Sequence, residues 1–113
     1  MRTNCSQVVV ENFFEPGILY LLLKKPSYGY EIQKSLKANS ICEVNTGNLY
    51  RCLARMLKQR YITRKAVRSD IGPNRYSYTI TNEGRIYLAA WMEALKKQKK
   101  VISSLITNYQ KII

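Results

Sequence analysis

Apolar positions recur at helical spacings of three and four along most of this chain, and they alternate with polar ones only in a short stretch past its middle. The run Ile18–Leu23 is apolar on every side, so the helix it forms belongs at the centre of the core. Pro16 suits the first helical position, and Pro26 stops the helix. Ser27 reads as the N-cap of a second helix from Tyr28 to about Lys37, ended by Asn39 and Ser40. Its core face is Tyr28, Ile32 and Leu36. Asn45 or Thr46 caps a third helix that reaches about Arg60. At about 100° per residue, Leu49, Leu53, Met56 and Leu57 gather in one sector, while Asn48, Arg51, Arg55 and Lys58 project from the other side.

The period then changes. Ile62–Val67 is β-prone, Gly72–Pro73 marks a turn, and Tyr76, Tyr78 and Ile80 alternate with Ser77 and Thr79 as in a half-buried strand. Thr81 caps a last helix. From Leu88 onward its stripe reads Leu88, Trp91, Leu95, Gln98, Ile102, Leu105, Tyr109 and Ile112, stepping by three and four as a heptad seam does. A helix from Asn82 to Ile112 extends roughly 45 Å, more than a chain of this size covers by itself. The seam is therefore expected to meet a second copy and make a homodimer, through Leu88, Trp91, Leu95, Ile102, Leu105 and Tyr109.

These elements predict a mainly α fold with a small β-hairpin wing (α+β), a winged helix-turn-helix followed by a long dimerisation helix. The expected division is residues 1–81 for the winged helix-turn-helix and 82–113 for the C-terminal helix, in one compact unit without linker or repeat.

Charge gives this layout a partner. Nineteen Lys and Arg against seven Asp and Glu give +12 over 113 residues, far beyond what solubility needs. Eight of the nineteen lie between Asn45 and Arg75, where Asp70 is the only acid. A solvated helix face usually mixes signs; the outer face of the third helix has no acid. The partner expected is double-stranded DNA, met at its phosphates and base edges. Asn48 and Arg51, in the first turn and a half, are the candidates for base readout, and Arg55 and Lys58 for phosphate contact. Thr46 either donates to a phosphate or caps the helix. Tyr50 packs at the edge of the core with its hydroxyl towards the DNA backbone. Tyr28 or Tyr30 either touches phosphate or packs on the third helix. In the wing Arg64, Lys65, Arg68 and Arg75 are candidates, and Arg68 and Arg75, which flank the turn, are preferred.

Other chemistry is thinly represented. The chain has no histidine, no glycine-rich phosphate loop after a strand and no paired acids at useful spacing, so no enzymatic activity, cofactor or metal site is expected. Cys5, Cys42 and Cys52 are an odd number without CxxC spacing, as befits thiols in a reducing compartment. Met1–Val10 does not read as a signal peptide and the longest apolar run is too short to span a bilayer, so a cytoplasmic protein without a membrane partner is expected.

An ordered set of short strings resembles the PadR family of bacterial transcriptional regulators. It comprises Ile18–Leu23, Tyr28–Gly29–Tyr30–Glu31–Ile32, Gly47–Asn48–Leu49–Tyr50 with Leu53 and Arg55, Gly72–Pro73–Asn74–Arg75–Tyr76–Ser77–Tyr78, Ile80–Thr81 and Gly84. Two positions depart from the pattern: Arg51 stands where proline usually follows the Leu–Tyr pair, and Arg60 where a glycine usually ends the third helix. The resemblance implies a sequence-specific transcriptional regulator, read here as a repressor, dimerising through its C-terminal helix on a two-fold symmetric operator. Some members bind flat aromatic ligands near the dimer interface beside a C-terminal-helix tryptophan. Trp91 and Tyr87, with Tyr109, are the matching candidates for a small aromatic effector, with plain packing as the alternative. The basic run Lys96–Lys100 around Gln98 is open between a second DNA contact, a register-setting polar pair and a solvated face. Two rival classes remain: a nonspecific, nucleoid-type nucleic-acid-binding protein, and a winged-helix protein-interaction module.

Overall fold

The computed structural model describes residues 13–38, 45–73 and 75–113; Cys5, Cys42, the Asn39–Ser40 helix end and Asn74 lie outside them. Among the described residues the order is α1 (Phe14–Lys24), β1 (Ser27–Tyr28), α2 (Gly29–Ala38), α3 (Thr46–Lys58), β2 (Ile62–Val67), β3 (Arg75–Ile80) and α4 (Asn82–Ile112). The strands form one antiparallel sheet in the order β1-β3-β2, with Ile62 opposite Ile80, Val67 opposite Arg75, and Ser27 opposite Tyr78. This is the winged helix-turn-helix expected from the pattern, with a third strand added.

Helix α1 is central but not enclosed on every side: Ile18 and Leu19 are fully buried, with Ile32 and Leu36 of α2, Leu49, Leu53 and Met56 of α3, Ile62, Tyr78, Ile80 and Leu88 closing around them, whereas Tyr20 and Leu23 of the same apolar run are exposed. It starts at Phe14 rather than at Pro16. The Gly17 N–H makes the first helical bond, to the Phe13 carbonyl at 2.9 Å, so Pro16 still falls where a missing N–H costs nothing.

Ser27 is not the N-cap of α2. It lies in β1 and its hydroxyl donates to the Lys25 carbonyl at 3.3 Å, while Glu31 Oε1 accepts from the Tyr28 N–H at 2.9 Å and ties the helix start from inside. Pairing with Tyr78 and Ser77 draws this dipeptide into extended backbone, which removes Tyr28 from the core stripe and leaves it half-buried. Asn45 caps α3, its Oδ1 accepting from the Asn48 N–H at 3.1 Å. The helix closes in a Schellman turn, Tyr61 N–H to the Met56 carbonyl at 3.0 Å and Arg60 N–H to the Leu57 carbonyl at 3.1 Å, with Arg60 left-handed at φ 64°.

Thr81 caps α4, accepting from the Gly84 N–H at 2.9 Å. Gly84 has to be glycine: a Cβ there would stand 2.1 Å from the Tyr61 carbonyl oxygen. The 31-residue α4 runs out of the body and gives the molecule its longest extent of 62 Å. No helix among the described residues is long and apolar enough to cross a membrane.

Candidate nucleic-acid interface

Helix α3 divides its faces as its spacing requires. Leu49, Cys52, Leu53 and Met56 are buried, and Thr46, Arg51, Arg55 and Lys58 are exposed; Asn48 is half-buried at the boundary. Helices α2 and α3 are joined by Gln33 Nε2 donating to Thr46 Oγ1 at 2.8 Å, so Thr46 is engaged by its neighbour, and the capping role belongs to Asn45. Arg51 Nη2 donates to Asn48 Oδ1, bringing the two base-readout candidates together one turn apart.

Arg55 leans elsewhere. Its Nε lies 3.7 Å from Glu15 Oε2 on α1, and its Nη2 donates to Cys52 Sγ at 3.5 Å. Glu15 Oε1 accepts from the Tyr87 hydroxyl of α4 at 3.1 Å. Tyr87 stacks on Tyr61, with ring centroids 4.1 Å apart, and meets Trp91 edge-on at 6.4 Å. Burial, the main cause, and then the hydrogen bond and charge of Glu15 raise the Tyr87 hydroxyl above the usual tyrosine value, against an opposing contribution from Trp91. A cleft of about 380 Å³ results, lined by Phe14, Glu15, Asn48, Arg51, Cys52, Arg55 and Trp91. Trp91 therefore faces the third helix of its own chain. Tyr109 lies eighteen residues further along α4, about 27 Å away at 1.5 Å per residue, so within one chain it cannot share a pocket with Trp91.

A second cluster joins the wing to the start of α2. Tyr28 and Tyr30 are stacked at 5.9 Å, the Arg75 guanidinium sits 5.8 Å from each ring, and Arg64 covers Tyr76 at 4.0 Å. Tyr50 lies against Gly29, where any Cβ would come within 2.7 Å of its hydroxyl. These tyrosines, Arg75 and the turn residues Ser69, Ile71 and Pro73 line a cleft of about 370 Å³. Arg64 and Lys65 point to opposite sheet faces, as alternation demands, and Arg68 is exposed where the turn begins. Lys65 takes the face shared by Ser77 and Arg75.

Sequence patterning missed Glu15, and it named Tyr28, Tyr30, Tyr50 and Arg75 singly without their grouping into one cluster. A lone acid in a first helical turn is an ordinary dipole partner and carries no sign of what will pack beside it.

The heptad stripe splits in two. Leu88 is drawn into the core of its own protomer and is not available to a partner, because α4 starts against α1 and Tyr61 before leaving the body. Trp91 and Leu95 are half-buried. Beyond them Ile102 is 51% exposed, Leu105 68%, Tyr109 61% and Ile112 85%, with Val101 and Ile106 exposed alongside. Gln98 is exposed on the same stripe, and Lys96 pairs with Glu93 at 3.1 Å.

Comparison with known proteins gives this architecture a family. A transcriptional regulator from Clostridium thermocellum has a similar structure, with 32% identity, 89% of this chain and 97% of that one covered, and a TM-score of 0.80. A PadR family transcription regulator from Clostridium difficile is similar at 29% identity, covering 83% of this chain and 98% of its own, with a TM-score of 0.73. Bacillus subtilis PadR, solved in complex with operator DNA, shares the fold at a TM-score of 0.63 and 24% identity, over 69% of this chain and 45% of that one. The model of the transcriptional regulator PadR-like family matches residues 18–90, more than half of the chain, and the chain belongs to that family.

Proposed function

We propose that this regulator is a sequence-specific DNA-binding repressor acting as a cytoplasmic homodimer on a two-fold symmetric operator. The observation that carries this is the outer face of α3, where Asn48, Arg51, Arg55 and Lys58 stand without an acid on the same helix, beside a hairpin bearing Arg64, Lys65, Arg68 and Arg75. A DNA partner is in keeping with the fold relative from Bacillus subtilis having been solved with operator DNA, and in a helix-turn-helix the helix in the place of α3 is the one that enters the major groove. Asn48 and Arg51 read base edges, Arg bidentate to guanine and Asn to adenine. Lys58, Arg68, Arg75, Thr46 and the hydroxyls of Tyr28 and Tyr50 meet phosphates and sugars. Residues 1–81 form the DNA-binding unit and 82–113 the dimerisation helix, whose exposed stripe from Leu95 through Ile102, Leu105 and Tyr109 packs against a second copy.

A small aromatic effector is a second element, favoured by the cleft in which Trp91 faces Arg51 and Arg55. A ligand there would touch the reading helix directly.

Selection of bound duplexes from a random-sequence pool, with sedimentation of the free protein, tests the main function. A palindromic consensus bound about 10³-fold or more over random DNA by a dimer is expected. Equal affinity for all sequences makes the protein a nonspecific binder, and a monomer at micromolar concentration removes the symmetric operator. Unchanged activity in Arg51→Ala with Arg55→Ala leaves a protein-interaction module.

A further inference from the structure

Of the outward row on α3, Arg55 alone is turned to an acid: the described residues hold two ion pairs, Arg55 with Glu15 and Lys96 with Glu93. Glu15 is the anchored member. Its side chain is 17% exposed against 54% for Arg55, and its two oxygens are divided, Oε1 accepting from Tyr87 and Oε2 facing Arg55. Tyr87 is itself held between the Tyr61 ring and the Trp91 edge. One line of contacts thus runs from the C-terminal helix through α1 to the reading helix. Arg55, the half-solvated end, leaves this line at the loss only of its long contact with Cys52 Sγ; Glu15 cannot leave without giving up the Tyr87 donor.

Resting on the DNA-binding function above, we infer that Glu15 is a positioning residue that withholds Arg55 from DNA, and that Tyr87 ties this restraint to the C-terminal helix. A guanidinium engaged by a carboxylate offers less charge to a phosphate, so the pair and the DNA compete for Arg55. A shift of α4 that carries Tyr87 away loosens Glu15 and frees one more phosphate contact. The position of the dimer helices then sets contact strength.

Affinities of wild type, Glu15→Gln, Tyr87→Phe, Arg55→Ala and the Glu15→Gln/Arg55→Ala double variant are measured across salt on a duplex selected by the wild type. A partly exposed ion pair competes at the level of a few-fold, so Glu15→Gln is expected to bind about threefold tighter. Its slope of log affinity against log salt is expected to steepen by about 0.9, the signature of one added phosphate contact. Tyr87→Phe, which leaves every charge in place, moves both quantities the same way by less, and it carries the test if Glu15→Gln melts below the assay temperature. In the Arg55→Ala background Glu15→Gln changes neither. Unchanged or weaker binding in Glu15→Gln overturns the inference, and so does an equal gain without Arg55, which would mean long-range charge alone. A wild type that selects no duplex overturns the DNA-binding function instead.

Discussion

Arg60 is the one non-glycine residue at positive φ among the described residues, and its replacement isolates a single backbone cost. The turn it makes is tied at both ends. The Schellman bonds to Met56 and Leu57 hold the helix side, while the Arg60 carbonyl accepts from Thr81 Oγ1 at 2.7 Å and the Tyr61 carbonyl from the Thr81 N–H at 3.1 Å. The backbone therefore cannot relax without losing bonds that also start α4. An L-residue in the left-handed region costs about 1–2 kcal/mol. Glycine removes that cost and loses about 0.5–1 kcal/mol through its freer unfolded chain. Arg60→Gly is accordingly expected to gain about 0.5–1 kcal/mol, a rise in Tm of about 2–5 °C for a chain of this size. Urea and thermal unfolding at one fixed protein concentration measure it, since association changes apparent stability. Arg60→Ala is the control: it removes the same charge and side chain but keeps the left-handed cost. Equal stability of the two variants, or a glycine variant less stable than wild type, refutes the backbone explanation.

Gly84→Ala forces a methyl onto the Tyr61 carbonyl and the Ile80 side chain, and a loss of about 3 kcal/mol in urea unfolding is expected. Because the Tyr87 hydroxyl is raised above its unfolded value, its stabilising contribution is complete below about pH 10 and is lost as pH climbs through the raised value. Tyr87→Phe should flatten stability against pH in that alkaline range, and an unchanged profile would show that Tyr87 does not titrate there. Arg51→Ala should weaken binding to a selected duplex by about 1–3 kcal/mol and relax preference at one base position, as seen by competition with single-base variants. Leu105→Lys places a charge in the exposed stripe of α4 and should shift sedimentation of the proposed dimer towards monomer.

The parts of the fold that were legible are those whose causes are local. The α3 faces follow from the spacing of Leu49, Leu53 and Met56 against Arg51, Arg55 and Lys58. The wing follows from alternation around Gly72–Pro73, and the start of α4 from Thr81 three residues before Gly84. Arg60 was marked by its place at a helix end that usually takes glycine, and its left-handed φ matches that place. The candidate interface was legible as a set of outward basic residues, because charge and helical period are both written in the chain. What the pattern could not hold is pairing between distant segments. Ser27 looks like a helix cap until β3, some fifty residues on, offers Tyr78 and Ser77 as strand partners. Leu88 looks like any other seam residue until α4 packs on α1 and takes it out of reach.

Periodicity and caps were enough to set the elements, their inward faces and the basic surface, since each depends on neighbours within a turn or two of chain. Which of those outward groups stand alone and which are engaged was settled by packing. Glu15 and Tyr87 are 72 residues apart, and their meeting beside Arg55 exists only because α1, α3 and α4 close on one core. Short-range spacing carries no information about such a meeting, because the free energy that creates it comes from burying the other faces of the same helices.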